Sequence, residues 1–594
     1  MVARLAYRKA EEGRSSRMLQ AAPHRGNHHD SIRVGSVEIG VSNRPGLEDA
    51  SLFGSEGYAC AFCGRLDNEP ALLGHLGRPP VRSARPAETV LAAYRAWGDG
   101  VWGRLRGDFA VVVSDGSRLR AARDHLGSST LFYRVDADGV YVASEAKQVA
   151  AGAGISRQPN FDLLHRAFFG EEDPYDEPTV MIAGVERIPR ASYTVFTEGV
   201  APRSYRYWDP TPLIGTAKLH PFEVRDRLVA LLEQAAERVV TGSDVVALSG
   251  GIDSPVVAAF AAPVYRTLTG RALPALSTVY PHAPTVDETP YIEAVVRQLG
   301  LDWHTFIPGY RPLNDLSMWV DLLDGPLPTA DVSAMAEFFE EAGKLGARTV
   351  LMGELAELVY DLRQHVVAHL LLSGRLPTAW RHVQALRQKG RRWPGVVRAV
   401  LPSLAPPSIV TSYVKRKARD AAALASWIEP GMVLGLDHRW DLEKPARRRF
   451  YDVQGYFAMA PSVVGIEASS ICAAHFGMHL RRPLIDLDLW EFFLSLPAHL
   501  KFPDAERKSI VREAARGRVP DIVLDRQDKT GFTEDVMGRV DYGELRRWMF
   551  GTDFRMKGID YAVLAERLEQ RDADFQELIA LNRLASIHAF VGLS

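Results

Sequence analysis

The sequence predicts two domains of different class: a β-rich unit over residues 1–205, and an α/β unit over 206–594 built on a doubly wound parallel sheet. Three observations predict it. At 594 residues the chain is too long for one core, since domains usually run to roughly 100–200 residues. In the first third, short apolar runs are separated by Gly, Asp and Ser turns, the pattern of many short strands. From about residue 220, long helical periods alternate with short buried strands, which implies parallel strands joined by crossover helices.

The elements follow in order. Residues 108–113 and 139–143 are apolar runs of strand length. The run Tyr58-Ala-Cys-Ala-Phe-Cys63 also alternates like a strand; its C-x-x-C has no second ligand pair for a structural zinc, so it is read as a strand rather than a redox or metal site. The polar, Pro-containing stretch from Tyr205 to Pro212 reads as a linker. Residues 244–248 form a buried strand followed by a glycine turn and an apolar helix at 255–262, and 274–279 and 348–352 are two further strands. From Arg363 to Arg419 there is no Asp or Glu but there are twelve Lys or Arg, densest at Arg391-Arg392 and Lys415-Arg416-Lys417. This basic insert is either a solvated helical face or a docking surface for an acidic or peptide partner.

Composition narrows the class. An apolar fraction of 46% and a charged fraction of 24% are those of an ordinary globular protein, and a net charge of −2 makes no case for nucleic acid as a partner. Cys60, Cys63 and Cys472 are too few for a disulfide framework, which fits a reducing compartment. The first 30 residues are Arg-rich without an apolar core, so no signal peptide is read there. The most membrane-like stretch, 395–414, contains Arg398, Pro402, Pro406 and Pro407, so no membrane span is expected. A cytoplasmic enzyme is the expectation.

The motif that carries chemistry is Ser249-Gly-Gly-Ile-Asp-Ser254, between the strand ending at Leu248 and the apolar helix. Gly250 and Gly251 let the backbone approach an anion, and the helix N-terminus presents free N–H groups to it. Ser249 and Ser254 add hydroxyls, and Asp253 is a hard oxygen ligand for an Mg²⁺ that would carry phosphate charge. The lysine of a G-x-x-x-x-G-K-[ST] loop is absent. The motif resembles that of the ATP-pyrophosphatase, or PP-loop, family, whose members release pyrophosphate and leave AMP on the substrate.

Within that family the chain resembles the asparagine synthetase branch over most of its length except about 363–450. In the first domain His24-Arg25-Gly26 looks like H-R-G-P, and Phe62-Cys-Gly-Arg-Leu-Asp-Asn68 stands where N-G-E-I-Y-N is usual. Leu105-Arg-Gly-Asp-Phe-Ala110, Arg123-Asp-His-Leu-Gly127 and Leu131-Phe-Tyr133 resemble three more glutaminase motifs. In the second domain Thr278 lies in the 277–280 segment after the second strand, and Asp287-Glu288, Arg482-Pro-Leu-Ile-Asp486, Lys508-Ser-Ile-Val-Arg-Glu-Ala514 and Lys529-Thr-Gly-Phe532 match in sequence order. The resemblance implies an Ntn-type β-sandwich glutaminase domain followed by an ATP-binding synthetase domain. It also implies that Lys508 is the catalytic lysine and that Leu248, Ser249, Gly250, Gly251, Asp253, Ser254, Thr278 and Gly353 line the ATP site.

The departures direct the function. The glutaminase nucleophile is a cysteine at position 2, and here that residue is Val2; Cys63 replaces the substrate-binding Asn, and Pro86 stands near where a substrate Asp is usual. The first domain therefore reads as a glutaminase fold without its activity, and the amine must come from the substrate. Two branches of the family do that: lasso peptide cyclases and β-lactam synthetases. The acid-free insert and the chain length lean toward a peptide. The lasso branch implies a precursor peptide as substrate, with a leader-binding protein and a leader peptidase as partners to look for.

Met352-Gly-Glu-Leu-Ala-Glu-Leu358 stands where S-G-E-G-G-D-E is usual, keeping Gly353 and Glu354 and placing Glu357 where an Asp would bind Mg²⁺. Glu354 is the candidate for orienting or deprotonating the amine. The competing readings are a small-molecule β-lactam synthetase, an asparagine synthetase homologue, and a non-catalytic scaffold that binds ATP or a peptide.

Overall fold

The computed structural model describes all residues except 8–12, 46–48, 80–84, 170–177, 282, 284–285, 329–331, 355–365, 389–391, 406–425, 430–462, 504–507, 527–536 and 594. The N-terminal part is two six-stranded sheets stacked face to face, with antiparallel pairing throughout the described ladders. The period of two along each strand builds the layers. In the first strand, Val2–Ala6, the side chains of Ala3 and Leu5 enter the core between the sheets, while Val2 faces Met18, Leu19 and Val149 beneath the helices Arg14–Gln20 and Ala146–Ala153. Strand Tyr58–Gly64 repeats the pattern. Ala59 and Ala61 pack between the sheets, and Cys60 and Phe62 pack under the helix Pro86–Trp97. Apolar alternation on both faces of a sheet demands a cover on each, and the helices supply it.

The three cysteines are free. The strand expected at 108–113 runs from Phe109 to Ser114, and that at 139–143 is observed as Gly139–Ala143.

The C-terminal part carries a five-stranded parallel sheet in the order Asp302–Phe306, Pro274–Thr278, Asp244–Ala247, Thr349–Leu351, His479–Arg481. The chain adds two strands on one side of Asp244–Ala247 and then two on the other, so the order reverses beside that strand. Ligands of open α/β sheets bind at such a switch point, outside the C-terminal strand ends. The helix expected at 255–262 begins two residues earlier and continues to Thr269. Pro255 suits its first turn, where a missing N–H leaves no intrahelical bond unmade.

The two parts share a core: Val2, Met18 and Tyr141 belong to the same cluster as Leu276, Val350 and Leu480. Ion pairs cross the boundary. Glu467 accepts from Arg123 Nη2 at 2.8 Å, and from Arg187 Nε at 2.8 Å and Nη2 at 3.0 Å. Lys147 Nζ donates to the Asp321 and Leu322 carbonyls at 2.8 Å each.

The basic insert contributes helices Val366–Leu372, Leu376–Gln388 and Trp393–Leu404. Val366 and Leu370 anchor it on Ala498 and Phe502. Among the described residues no helix is long and apolar enough to cross a membrane. Lys415, Arg416, Lys417 and Arg391 lie outside the described residues, as do Leu355, Ala356, Glu357 and Leu358, and the Lys529 motif.

Candidate active site

The site is built where two strands of the switch point end. After strand Asp244–Ala247, Leu248 is buried and its N–H donates to the Leu276 carbonyl at 3.0 Å, which holds the chain on the sheet up to the loop. The loop then folds on its own hydroxyls. Ser254 Oγ accepts the Ser249 N–H at 2.9 Å and lies 3.0 Å from Ser249 Oγ. These two hydroxyls, expected to face an anion, bond to each other here. Asp253 opens the 17-residue helix, where the macrodipole stabilises a negative group.

Gly353 follows the neighbouring strand. A Cβ there would sit 2.7 Å from Asp253 Cβ and 2.9 Å from the Ser254 nitrogen, so the second strand end reaches the loop only because the residue is glycine. Glu354 comes next and accepts from Arg482 Nε at 3.0 Å; Arg482 is almost fully buried and its Nη2 also donates to Ser469 Oγ at 2.5 Å. Thr278 ends strand Pro274–Thr278 on the same edge of the sheet. Lys508 arrives from the C-terminal region. It is buried, adopts the left-handed conformation (φ 52) just before helix Ser509–Ala515, and its ammonium pairs with the Asp253 carboxylate. A non-glycine residue held in that conformation is a known mark of functional sites.

A third pair stands on the other side of the loop. The Gly250 N–H donates to Glu288 Oε2 at 2.8 Å, and Arg526 Nη1 donates to Glu288 Oε1 at 2.8 Å and to the Gly250 carbonyl at 2.9 Å. Three cation–anion pairs thus surround the loop: Asp253–Lys508, Glu354–Arg482 and Glu288–Arg526.

The described candidates lie around the C-terminal ends of strands Asp244–Ala247, Pro274–Thr278 and Thr349–Leu351, and Glu357 is outside the described residues. Arg482, Ser469, Glu288 and Arg526 join the site without being singled out by the sequence. Glu288 and Arg482 sat inside matched motifs, which was the available signal; Arg526 pairs with Glu288 across 238 positions, which no local pattern encodes.

Asp253 fits Mg²⁺, a cation usually held by one or two carboxylates together with substrate phosphates. No cluster of three or more His, Cys, Asp or Glu side chains able to hold a metal occurs among the described residues.

A cavity of about 100 Å³ lies between the two parts and is lined by Met1, Arg25, Arg44, Cys63 and Asp108 from one side and by Arg481 from the other. Behind it His24 and Arg25 bind the buried Glu145 carboxylate, and Arg25 leads the cations that hold it well below the usual carboxylate range against its burial. Burial pushes the Cys63 thiol up to about 11.

A glutamine amidotransferase domain model matches residues 3–208, and an asparagine synthase model matches residues 227–582. The chain belongs to the asparagine synthase family. It is 24% identical over 525 residues to asparagine synthetase [glutamine-hydrolyzing] 3 of Bacillus subtilis, covering 84% of this chain and 80% of that one. A putative asparagine synthetase of Mycobacterium tuberculosis is 27% identical over 501 residues, 78% of this chain and 72% of its own. Carboxyethyl-arginine beta-lactam-synthase of Streptomyces clavuligerus is 32% identical over 240 residues, 40% of this chain and 42% of that one. This member of the family is an ATP-dependent carbon–nitrogen ligase on an N-terminal class-II amidotransferase fold, and in its first strand Val2 is fully buried among apolar side chains while Met1 lines the cavity between the two parts.

Proposed function

We propose that this ligase closes a peptide on itself: it adenylates a side-chain carboxylate of a precursor peptide and joins it to the peptide's N-terminal amine, releasing AMP and pyrophosphate. The observation that carries the peptide reading is the insert. Trp380 and Trp393, 53% and 45% exposed, stack with ring centroids 6.2 Å apart and join two helices into one surface. Leu376 lies one turn before Trp380, and Val397 one turn after Trp393, and both are exposed. The Arg387 guanidinium lies 4.7 Å from the Trp393 ring centre, and no acidic residue occurs from 363 to 419. An exposed apolar stripe set in cations suits an acidic and apolar peptide segment. The insert is anchored through Phe502, six residues before Lys508 in the chain.

The source of nitrogen supports the same reading. Cys63 is the cysteine that lines the cavity between the two parts, and with a pKa of about 11 only about one thiol in 10⁴ is thiolate at pH 7. With no activated thiol to attack glutamine, the amine is supplied by the substrate.

In the chemistry, a carboxylate oxygen of the peptide attacks the α-phosphorus of ATP and the bond to the β-phosphate breaks, so pyrophosphate departs. The neutral amine then attacks the acyl carbon and gives up a proton, and the bond to the AMP oxygen breaks. Lys508 stabilises charge on the phosphate and on the tetrahedral intermediate. Glu354, with one oxygen held by Arg482, orients the amine and accepts its proton. Mg²⁺ on Asp253 would neutralise the triphosphate. Holding both ends of one peptide in a near-attack geometry contributes on the order of 7–11 kcal/mol. A leader-binding protein and a leader peptidase are the partners this reading proposes.

The test is to incubate the full chain with Mg·ATP and precursor peptides encoded beside its gene, and to read nucleotides by chromatography and peptide by mass spectrometry. The proposal expects AMP, pyrophosphate and a peptide lighter by one water, and a several-fold higher peptide KM for a Trp380→Ser, Trp393→Ser variant. Turnover of a small amino acid in preference to every peptide would favour the β-lactam synthetase reading. Glutamine-dependent product with glutamate release would restore asparagine synthetase.

A further inference from the structure

We infer that Glu288 is a built-in competitor for the pyrophosphate group at the nucleotide loop, and that Arg526 is the cation the pyrophosphate takes over when Glu288 withdraws. Main-chain N–H groups of a glycine loop leading into a helix N-terminus attract anions, and here the Gly250 N–H, two residues before the helix cap at Ile252, is already bonded to an anion of the chain itself, the Glu288 carboxylate at 2.8 Å. The contact is close by construction. A Cβ on Gly250 would sit 2.7 Å from Glu288 Cβ and 3.1 Å from Tyr291 Cβ, so loop and carboxylate meet only because residue 250 has no side chain.

Arg526 is anchored independently of that carboxylate. Its guanidinium lies 4.2 Å from the centre of the Tyr291 ring and donates to the Gly250 carbonyl at 2.9 Å. Its own carbonyl accepts from Arg512 Nη2 at 3.1 Å, on the helix that Lys508 precedes. When phosphate oxygens occupy the loop, a carboxylate on the same N–H is a like charge in direct contact, and it must leave. Arg526, held by its other contacts, stays and exchanges a carboxylate for a phosphate, a pairing its forked guanidinium suits. Lys508 makes the corresponding exchange on the other side of the loop, where Asp253 is its present partner. The return of Glu288 then opposes rebinding of the released pyrophosphate.

This inference concerns the leaving group alone, so its test uses nucleotides and stands or falls apart from the peptide reading. The dissociation constants of Mg-pyrophosphate, Mg·ATP and AMP are measured by calorimetry on the full chain and on Glu288→Gln, Arg526→Gln and Arg526→Lys. Glu288→Gln keeps an acceptor for the Gly250 N–H and removes the charge. It is expected to tighten pyrophosphate and ATP by about tenfold and to leave AMP, which lacks the β- and γ-phosphates, within twofold. Arg526→Gln is expected to weaken pyrophosphate and ATP at least tenfold with AMP again unchanged, and Arg526→Lys to recover part of that loss. Weaker or unchanged pyrophosphate binding by Glu288→Gln would overturn the competitor role. Equal losses for AMP and pyrophosphate in Arg526→Gln would reduce Arg526 to a brace of the loop.

Discussion

Replacing Gly353 with Ala tests whether the two strand ends must touch for the site to exist. The new Cβ would lie 2.7 Å from Asp253 Cβ, 2.8 Å from the Asp253 carbonyl carbon and 2.9 Å from the Ser254 nitrogen. Carbon–carbon contact is favourable at about 3.5–4.0 Å, so the strand end and the helix start must separate by about 1 Å. Neither yields easily. Asp253 and Ser254 are the first turn of a 17-residue helix whose next residues are buried, and Gly353 closely follows an interior strand of the sheet. Overpacking of this kind typically destabilises by about 1–3 kcal/mol. The same displacement moves Asp253 and Lys508 relative to Glu354, and a 1 Å misplacement of reacting groups lowers rates by about 10². The assay pairs ATP binding by calorimetry with urea unfolding, and adds substrate-dependent pyrophosphate exchange. Gly74→Ala, in helix Glu69–His75 with nothing within 4 Å of its added Cβ, is the control and should be neutral or stabilising by up to about 1 kcal/mol. A Gly353→Ala chain with wild-type ATP affinity and unfolding would refute the reasoning.

Three other outcomes are expected. Lys508→Ala should lower substrate-dependent exchange by roughly 10²–10³, with Lys508→Arg a poor rescue because a planar fork cannot occupy the place of a point charge; near wild-type product formation would remove Lys508 from the chemistry. Glu467→Gln leaves two buried guanidinium groups, Arg123 and Arg187, facing a neutral amide across the domain boundary. A loss of about 3–5 kcal/mol in urea unfolding is expected, and a change under 1 kcal/mol would show that the apolar core alone holds the parts together. His125 is buried against Tyr207 and Trp208 and burial lowers its pKa to about 3, so between pH 6.5 and 3 the unfolded chain binds a proton that the native one does not. Native stability from this group is therefore present above pH 6.5 and is lost as pH falls toward 3, at about 1.4 kcal/mol per pH unit. The advantage of wild type over His125→Leu should shrink between pH 6.5 and 5 in urea titrations, and a constant difference would contradict the burial argument.

What the sequence by itself determined was everything encoded over short range. The two-domain class, the strand before Ser249, the glycines of the loop and the helix after it follow from periodicity and from residues whose backbone demands are local. The motif order also placed Gly353, Glu354 and Lys508 as candidates, though nothing in a linear reading says they touch. Tertiary structure alone decided the pairings. Lys508 with Asp253, Arg482 with Glu354 and Arg526 with Glu288 are separated by 255, 128 and 238 positions, and each forms because the parallel sheet brings distant strand ends and C-terminal segments to one edge. The hydroxyls of Ser249 and Ser254, which the sequence offers as donors at the loop, lie 3.0 Å apart in three dimensions, a contact the linear motif does not state. Charge is legible residue by residue, but the partner of a charge depends on where the chain returns, and that is settled only when the whole core packs.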